Sequence, residues 1–144
     1  MYYLTVENTT IPYGVEKSGG VIYLKVLLEE GNKNHDFIRE RLEYLEEGER
    51  RRMGEDLVMM SNVRRLVDGN YLLRIRIAYF KNRNNIKMRY ERTCDKDNYL
   101  KNVEDLSYDC KVNVKFKIGK GYKFTANDKE SFGLNIYVDE VTVK

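Results

Sequence analysis

Histidine is almost missing from this chain: His35 is the only one in 144 residues. A multi-histidine metal site is therefore excluded, and a histidine-based catalytic triad has a single position from which to start. That position lies in the polar stretch "GNKNHDF", which reads as an exposed loop. Cysteine is nearly as scarce. Cys94 and Cys110 lack metal-ligand spacing, and no further cysteine completes a four-ligand site. A disulfide between them stays open, although a reducing compartment favours two free thiols. Apolar runs extend for only a few residues, far short of the roughly 20 a spanning helix needs. The N-terminal "MYYLTVENTT" has neither the basic start nor the apolar stretch of a secretory signal. These absences lead us to expect an intracellular protein: cytoplasmic, or, for a viral protein, in the host nucleus or at a replication site. Internal repeats and low-complexity linkers are missing too, so we read 1–144 as one domain.

Chemistry that needs converging acids is also thinly represented. Asp139 and Glu140 are adjacent, but no supporting pattern of acids and lysines accompanies them. Metal-assisted hydrolysis needs convergent carboxylates, so a nuclease is disfavoured. We expect no catalytic residue, no metal and no cofactor.

What the chain does have is unevenly placed positive charge. The formal net charge is only +3, yet residues 71–92 carry seven basic residues against Glu91 alone. Residues 111–123 add five lysines and no acid, which leaves the remainder at −8. Such division favours a polyanionic partner on one face, although charged strand exteriors also serve solubility.

Hydrophobic periodicity supplies the framework. A short strand is expected at Tyr3–Val6. In "GGVIYLKVLLEE", Ile22, Leu24, Val26 and Leu28 alternate with Tyr23, Lys25 and Leu27, the period-2 pattern of a strand. From Asp36 the period changes: Ile38, Leu42 and Leu45 predict a helix capped by Asn34 or Asp36 and broken within "EGERRRMG". A second helix is expected over 55–67, burying Leu57, Met60, Val63 and Val67. Strands follow at 71–81 and 85–92, joined by the Asn-rich loop "KNRNN", with Ile75, Ile77, Ile86 and Met88 inward. A short helix is read within 97–108. Strands at 110–118 and 132–143 then flank a glycine-bearing loop, 119–131.

Without residues 31–69, this is the element order of a five-stranded Greek-key OB barrel with a helix between its third and fourth strands. We therefore expect a mainly β fold, an OB-like barrel in which 31–69 form a helical insertion between the first two barrel strands. Second and third strands of an OB barrel form its nucleic-acid-binding face. The basic hairpin falls on those two strands.

Cations that track phosphates, interleaved with rings that stack bases, make a single-strand-binding surface. Arg74, Arg76, Lys87 and Arg89 project to one side of the hairpin. Lys81 and Arg83 lie at its loop, with Phe80 as a stacking platform and Tyr23 and Tyr137 on neighbouring strands. Lys115, Lys117 and Lys120, with Tyr122 and Phe124, repeat the combination around the fourth strand and its loop. The alternative is a solvated or protein-binding face with Phe80 covered by a loop or by the helical insertion. The glycines of "IGKGYKF" are too few for a phosphate-binding loop and read as a hairpin turn. Arg50, Arg51 and Arg52 sit among acids and read as a solvated loop, with a DNA-gripping flap as the alternative.

The segment "CKVNVKFKIGKGYKFTANDKESFGLNIYVDEVTVK" resembles the C-terminal part of OB-fold single-stranded-DNA-binding proteins of DNA phages and large DNA viruses. The likeness lies in a basic alternating strand, a polar loop, and Phe132, Gly133, Leu134, Ile136, Val138, Val141 and Val143. It implies a barrel that coats exposed single strands, most often DNA, in replication or recombination. Implied partners are single-stranded DNA or RNA, replication proteins and further copies of the chain, with no membrane. This chain ends at "VTVK", where members of that group often carry an acidic tail. The rival reading is a viral or phage protein–protein module that presents Phe37, Tyr44, Met53 and Met59, or a sheet edge.

Overall fold

The computed structural model describes residues 2–18, 21–54, 56–77, 87–90 and 109–144. Nine strands and one helix follow in chain order among them. They are β1 (Tyr2–Thr9), β2 (Val15–Ser18), β3 (Val21–Leu28), α1 (Lys33–Met53), β4 (Val58–Met59) and β5 (Val63–Arg65). β6 (Tyr71–Ile77), β7 (Lys87–Tyr90), β8 (Val112–Ala126) and β9 (Lys129–Val143) complete the set.

The strands make one mixed sheet. Antiparallel ladders join β1 to β8, β8 to β9, β6 to β3 and β3 to β2, while β9 runs parallel to β6 and β7. The fold is mainly β and OB-like, with β3, β6, β7, β8 and β9 in the roles of the five expected strands. One expectation is corrected: the described ladders do not close into a barrel. β1 and β2 end the path on opposite sides. The Leu27 N–H donates to the Thr10 carbonyl at 3.1 Å, and the buried Thr9 hydroxyl donates to the Leu27 carbonyl. These bonds bring β1 towards β3 without a continuous ladder.

Alternation places the core as the sequence requires. Leu24, Val26 and Leu28 of β3, Leu73, Ile75 and Ile77 of β6, and Val112, Val114, Phe116 and Ile118 of β8 are all buried. Each such side chain contributes roughly 1.5–3 kcal/mol by leaving water. On β9 the inward positions change parity, because Leu134, Ile136 and Val138 are followed by Val141 and Val143. A bulge explains the step: Lys115 pairs with Glu140 but Phe116 pairs with Val138, leaving Asp139 as the extra residue.

The expected loop at 119–131 is instead the continuation of β8 and β9 into a long hairpin arm. Its turn is Asn127–Asp128, both at positive φ (51° and 61°), the backbone that a two-residue hairpin turn demands. The glycines of "IGKGYKF" lie not in the turn but at a register shift between Gly119 and Tyr122. Gly121 suits the close packing there: a Cβ would come within 2.7 Å of a Glu49 carboxylate oxygen, which would have to move aside, and 3.1 Å of the Gly133 carbonyl.

α1 is longer than its apolar spacing suggested. Asn32, not Asn34 or Asp36, caps it by accepting from the Asn34 and His35 amides. The charged run does not break the helix. Arg50 pairs with Glu47, and Arg52 with Glu49, one turn apart. Arginines in the last turn also suit the negative end of the helix dipole. Gly48 stands within the helix, and Gly54 ends it with a left-handed φ of 109°.

Residues 56–67 overturn the second predicted helix. Val58 and Met59 pair with Ser131 and Phe132 of β9, and Val63–Arg65 pair with β6. Leu57 is buried as expected, but Met60 and Val67 are exposed. Sheet edges that need partners outcompete a weak helical period, and β-branched Val58 and Val63 favour extension. Among the described residues no helix is long and apolar enough to cross a membrane. The expected helix within 97–108 and the loop "KNRNN" lie outside the described residues. Cys94 does also; Cys110 is a free thiol.

His35 is corrected as well. It is fully buried in the first turn of α1 rather than exposed in a loop. Its Nδ1 accepts from the Glu29 N–H at 2.9 Å, so Nε2 carries the proton donated to the Glu7 carbonyl at 2.6 Å. Asn34 beside it donates to the Thr5 carbonyl and accepts from the Glu7 N–H. Together they fasten the helix start onto β1 and the end of β3.

Candidate functional site

Five strands present a single cross-strand row on the face opposite the core. Tyr3 of β1 pairs with Lys117 of β8, Lys117 with Tyr137 of β9, Tyr137 with Arg76 of β6, and Arg76 with Tyr23 of β3. Directly paired residues share a face, so ring and cation alternate across the sheet. With neighbouring strands about 4.8 Å apart, the row from Tyr3 to Tyr23 extends roughly 19 Å along the sheet.

Contacts within the row are close. The Arg76 guanidinium donates to the Tyr137 hydroxyl at 3.4 Å and to the Tyr122 hydroxyl at 3.0 Å. It lies 5.7 Å from the Tyr137 ring centre and 5.5 Å from that of Tyr122. Burial works against its charge, but the Tyr137 hydroxyl and the neighbouring tyrosines outweigh that and raise its pKa above the ordinary arginine value. Lys117 approaches the Tyr137 ring at 5.9 Å.

A second line runs beside the first. Arg74 stacks on the Tyr23 ring at 3.7 Å and meets Glu16 of β2 at 3.3 Å. Glu16 also holds Lys25 at 2.5 Å. The Lys25 hydrogen bond, helped by the charge of Arg74, keeps the Glu16 carboxyl below its usual range despite some desolvation. Lys115 stands 5.0 Å from the Tyr3 ring and 3.8 Å from Asp139. Two carboxylates therefore already occupy part of this cationic surface.

Of the residues singled out from sequence, Arg74, Arg76, Lys117, Tyr122 and Tyr137 come together, with Tyr23 among them. Lys115 borders the group, and Lys120 is exposed on the hairpin arm. Phe80, Lys81 and Arg83 lie outside the described residues. Lys87 and Arg89 fall on β7, opposite Glu140 and Thr142 of β9, and their side chains are likewise outside the description. Tyr3, Lys25 and Glu16 were missed. Tyr3 had a signal, since it alternates with buried Leu4 and Val6. Glu16 had none, because β2 itself was not foreseen.

Flat rings flanked by cations can hold planar groups strung on a polyanion. No protein-family model and no curated protein matches the sequence. Its fold does have counterparts among solved structures. It is similar to gp2.5, a single-stranded DNA-binding protein encoded by bacteriophage T7, with a TM-score of 0.67 and 14% identity over 99% of this chain and 85% of that one. It is also similar to the single-stranded DNA-binding protein of bacteriophage Enc34 in a C-terminally truncated form, at a TM-score of 0.59 and 12% identity with the same coverage. This chain has the fold of phage single-stranded-DNA-binding proteins.

Proposed function

We propose that this chain binds single-stranded DNA without catalysis, as one intracellular OB-like domain acting in replication or recombination. The observation that carries the reading is the row Tyr3–Lys117–Tyr137–Arg76–Tyr23. The fold likeness to two phage single-stranded DNA-binding proteins supports it independently. Arg74, Arg76, Lys115 and Lys117 neutralise phosphates, and Tyr3, Tyr23, Tyr122 and Tyr137 stack bases. Each stacked base is worth about 1–3 kcal/mol, so two or three platforms set the affinity. Phe80, Lys81, Arg83, Lys87, Arg89 and Lys120 are further candidates for binding on the strength of the sequence alone. No base-edge readout is built into rings and cations, so binding is indifferent to sequence.

Fluorescence anisotropy with labelled oligo-dT, matched duplex and single-stranded RNA, at several salt concentrations, tests this. Four phosphate contacts give a slope of about −3 in log affinity against log salt. Preference for oligo-dT over duplex supports the reading, the RNA arm decides between nucleic acids, and absence of binding at low salt rejects it. The rival is a protein–protein module. It draws support from α1, where Phe37 and Tyr44 are exposed and Arg41 lies about 5 Å from the rings of both Tyr2 and Tyr44. Copurification with a defined protein, unaffected by nuclease, would favour that reading.

A further inference from the structure

β6 and β9 meet in register at Arg76 and Tyr137 and part on one side of that bridge. The chain around β4 and β5 fills the fork. The Met60 N–H donates to the Phe132 carbonyl at 2.8 Å, and the Arg74 N–H donates to the Asn62 carbonyl at 2.9 Å. The Asn62 side-chain amide reaches the Leu134 carbonyl at 3.4 Å. Gly133 eases the approach, since a Cβ there would lie a tight 3.3 Å from the Met60 carbonyl.

This wedge leaves a cleft of about 380 Å³ beside the row. β3 and β6 contribute Tyr23, Arg74 and Arg76 to its lining, and β8 contributes Tyr122 and Phe124. Asn62 and Asn135 add carboxamides. The Tyr122 and Phe124 rings are 5.3 Å apart and tilted by 35°, an aromatic corner rather than a flat platform. Arg76 belongs to both row and cleft, because its guanidinium binds the Tyr137 hydroxyl of one and the Tyr122 hydroxyl of the other.

We propose that the cleft is a nucleotide subsite, in which one base of the bound strand leaves the row and enters the fork. The inference rests on the single-strand reading above. The volume lies near the lower end of the roughly 300–1,000 Å³ of small-molecule sites, room for one nucleotide and not two. Its base packs on the Tyr122–Phe124 corner, and its phosphate meets Arg76 and Arg74 where the strand crosses from row to cleft. Carboxamides offer a donor and an acceptor on one group, so Asn62 and Asn135 can satisfy the polar edge of any base. The strand is thereby anchored at one point while the row holds it along its length.

The experiment uses the full chain and an oligo-dT carrying 4-thiothymidine, with photo-crosslinks mapped by mass spectrometry and binding followed in parallel by anisotropy. Crosslinks at residues 60–62, 124 or 133–136 are expected. An oligonucleotide that binds but crosslinks only at Tyr3, Lys117 or Tyr137 overturns the subsite and leaves the row standing. Loss of all binding overturns both. Phe124→Ala and the cleft-filling Asn135→Phe should each weaken oligo-dT binding about tenfold, the effect of one lost stacked base, with the salt slope unchanged. Should Asn135→Phe lower the melting temperature, Phe124→Ala and the crosslink map decide. Full affinity in a folded Phe124→Ala protein, without cleft crosslinks, rejects the proposal.

Discussion

Arg76 of β6 stands directly opposite Tyr137 of β9, and its guanidinium donates to that tyrosine's hydroxyl at 3.4 Å. The pair marks the point where two parallel strands touch before the sheet divides. Its second donation, to Tyr122, ties the hairpin arm to the same guanidinium. One side chain thus couples β6, β9 and β8, and its removal should be felt in binding more than in folding.

Arg76→Ala is expected to lower oligo-dT affinity about tenfold and to flatten the salt slope by roughly 0.7, one phosphate contact on a single strand. Arg76→Lys should restore the slope but not the full affinity, because an ammonium lacks the planar fork that reaches two hydroxyls. Anisotropy titrations at several salt concentrations read both numbers. An unchanged affinity in the folded Ala variant would dismiss the row as the binding face.

Glu16 holds both Arg74 and Lys25, so on the proposed reading it competes with phosphate for them. Glu16→Gln is expected to raise oligo-dT affinity about two- to fivefold at neutral pH, the scale of an exposed ion pair. Its carboxyl titrates lower in the fold than unfolded, mainly through the Lys25 hydrogen bond. The stabilisation it gives is therefore present above its ordinary value of 4.5 and lost as pH falls through the lower folded value. Acid melts of the two proteins should converge once Glu16 is protonated. A weaker-binding Gln variant would show that the acid helps rather than hinders the strand.

Glu46 behaves in the opposite sense. It is buried on α1, accepts from the Ser61 hydroxyl at 3.1 Å, and leaves its other oxygen without a partner. Burial raises its pKa above 4.5 against the Ser61 hydrogen bond, and Glu43 and Glu47 add to the rise. Between 4.5 and the raised value the folded state holds more protons than the unfolded one, so stability falls as pH increases through that window. The stability of Glu46→Gln relative to the parent should therefore improve as pH rises from 4.5 through the raised value and level off above it. Denaturant melts across that range check it, and a pH-independent difference would contradict the assignment.

His35 is a structural clip rather than a catalytic group. His35→Ala removes hydrogen bonds to Glu7 and Glu29 and opens a buried space, costing about 2–4 kcal/mol. Urea denaturation should show this as a lower midpoint with little change in slope. Oligo-dT affinity of the protein that remains folded is expected to be unaltered, since His35 lies among α1, β1 and β3, away from the row. A variant as stable as the parent would refute the clip.

Period-2 alternation alone determined most of the sheet. β3, β6 and the stretches 112–118 of β8 and 132–143 of β9 could be read residue by residue, because neighbouring side chains on a strand must point to opposite faces whatever lies beside them; the hairpin arm between them, read as a loop, could not. The basic character of the outer face followed from the same parity. Even the gap between Val138 and Val141 was visible, although its meaning, a bulge at Asp139, required the partner strand. The long-range pairing was not written locally. Apolar spacing over 57–67 suited a helix, yet the unpaired edges of β6 and β9 drew those residues into strands. His35 sat in a polar sequence, and its burial depended on two backbone groups 6 and 28 residues away. The row from Tyr3 to Tyr23 was scattered over 135 positions of chain, and only the register of four ladders made it one surface. Which way a side chain points is a local property of the backbone, but what stands across from it depends on which strands meet.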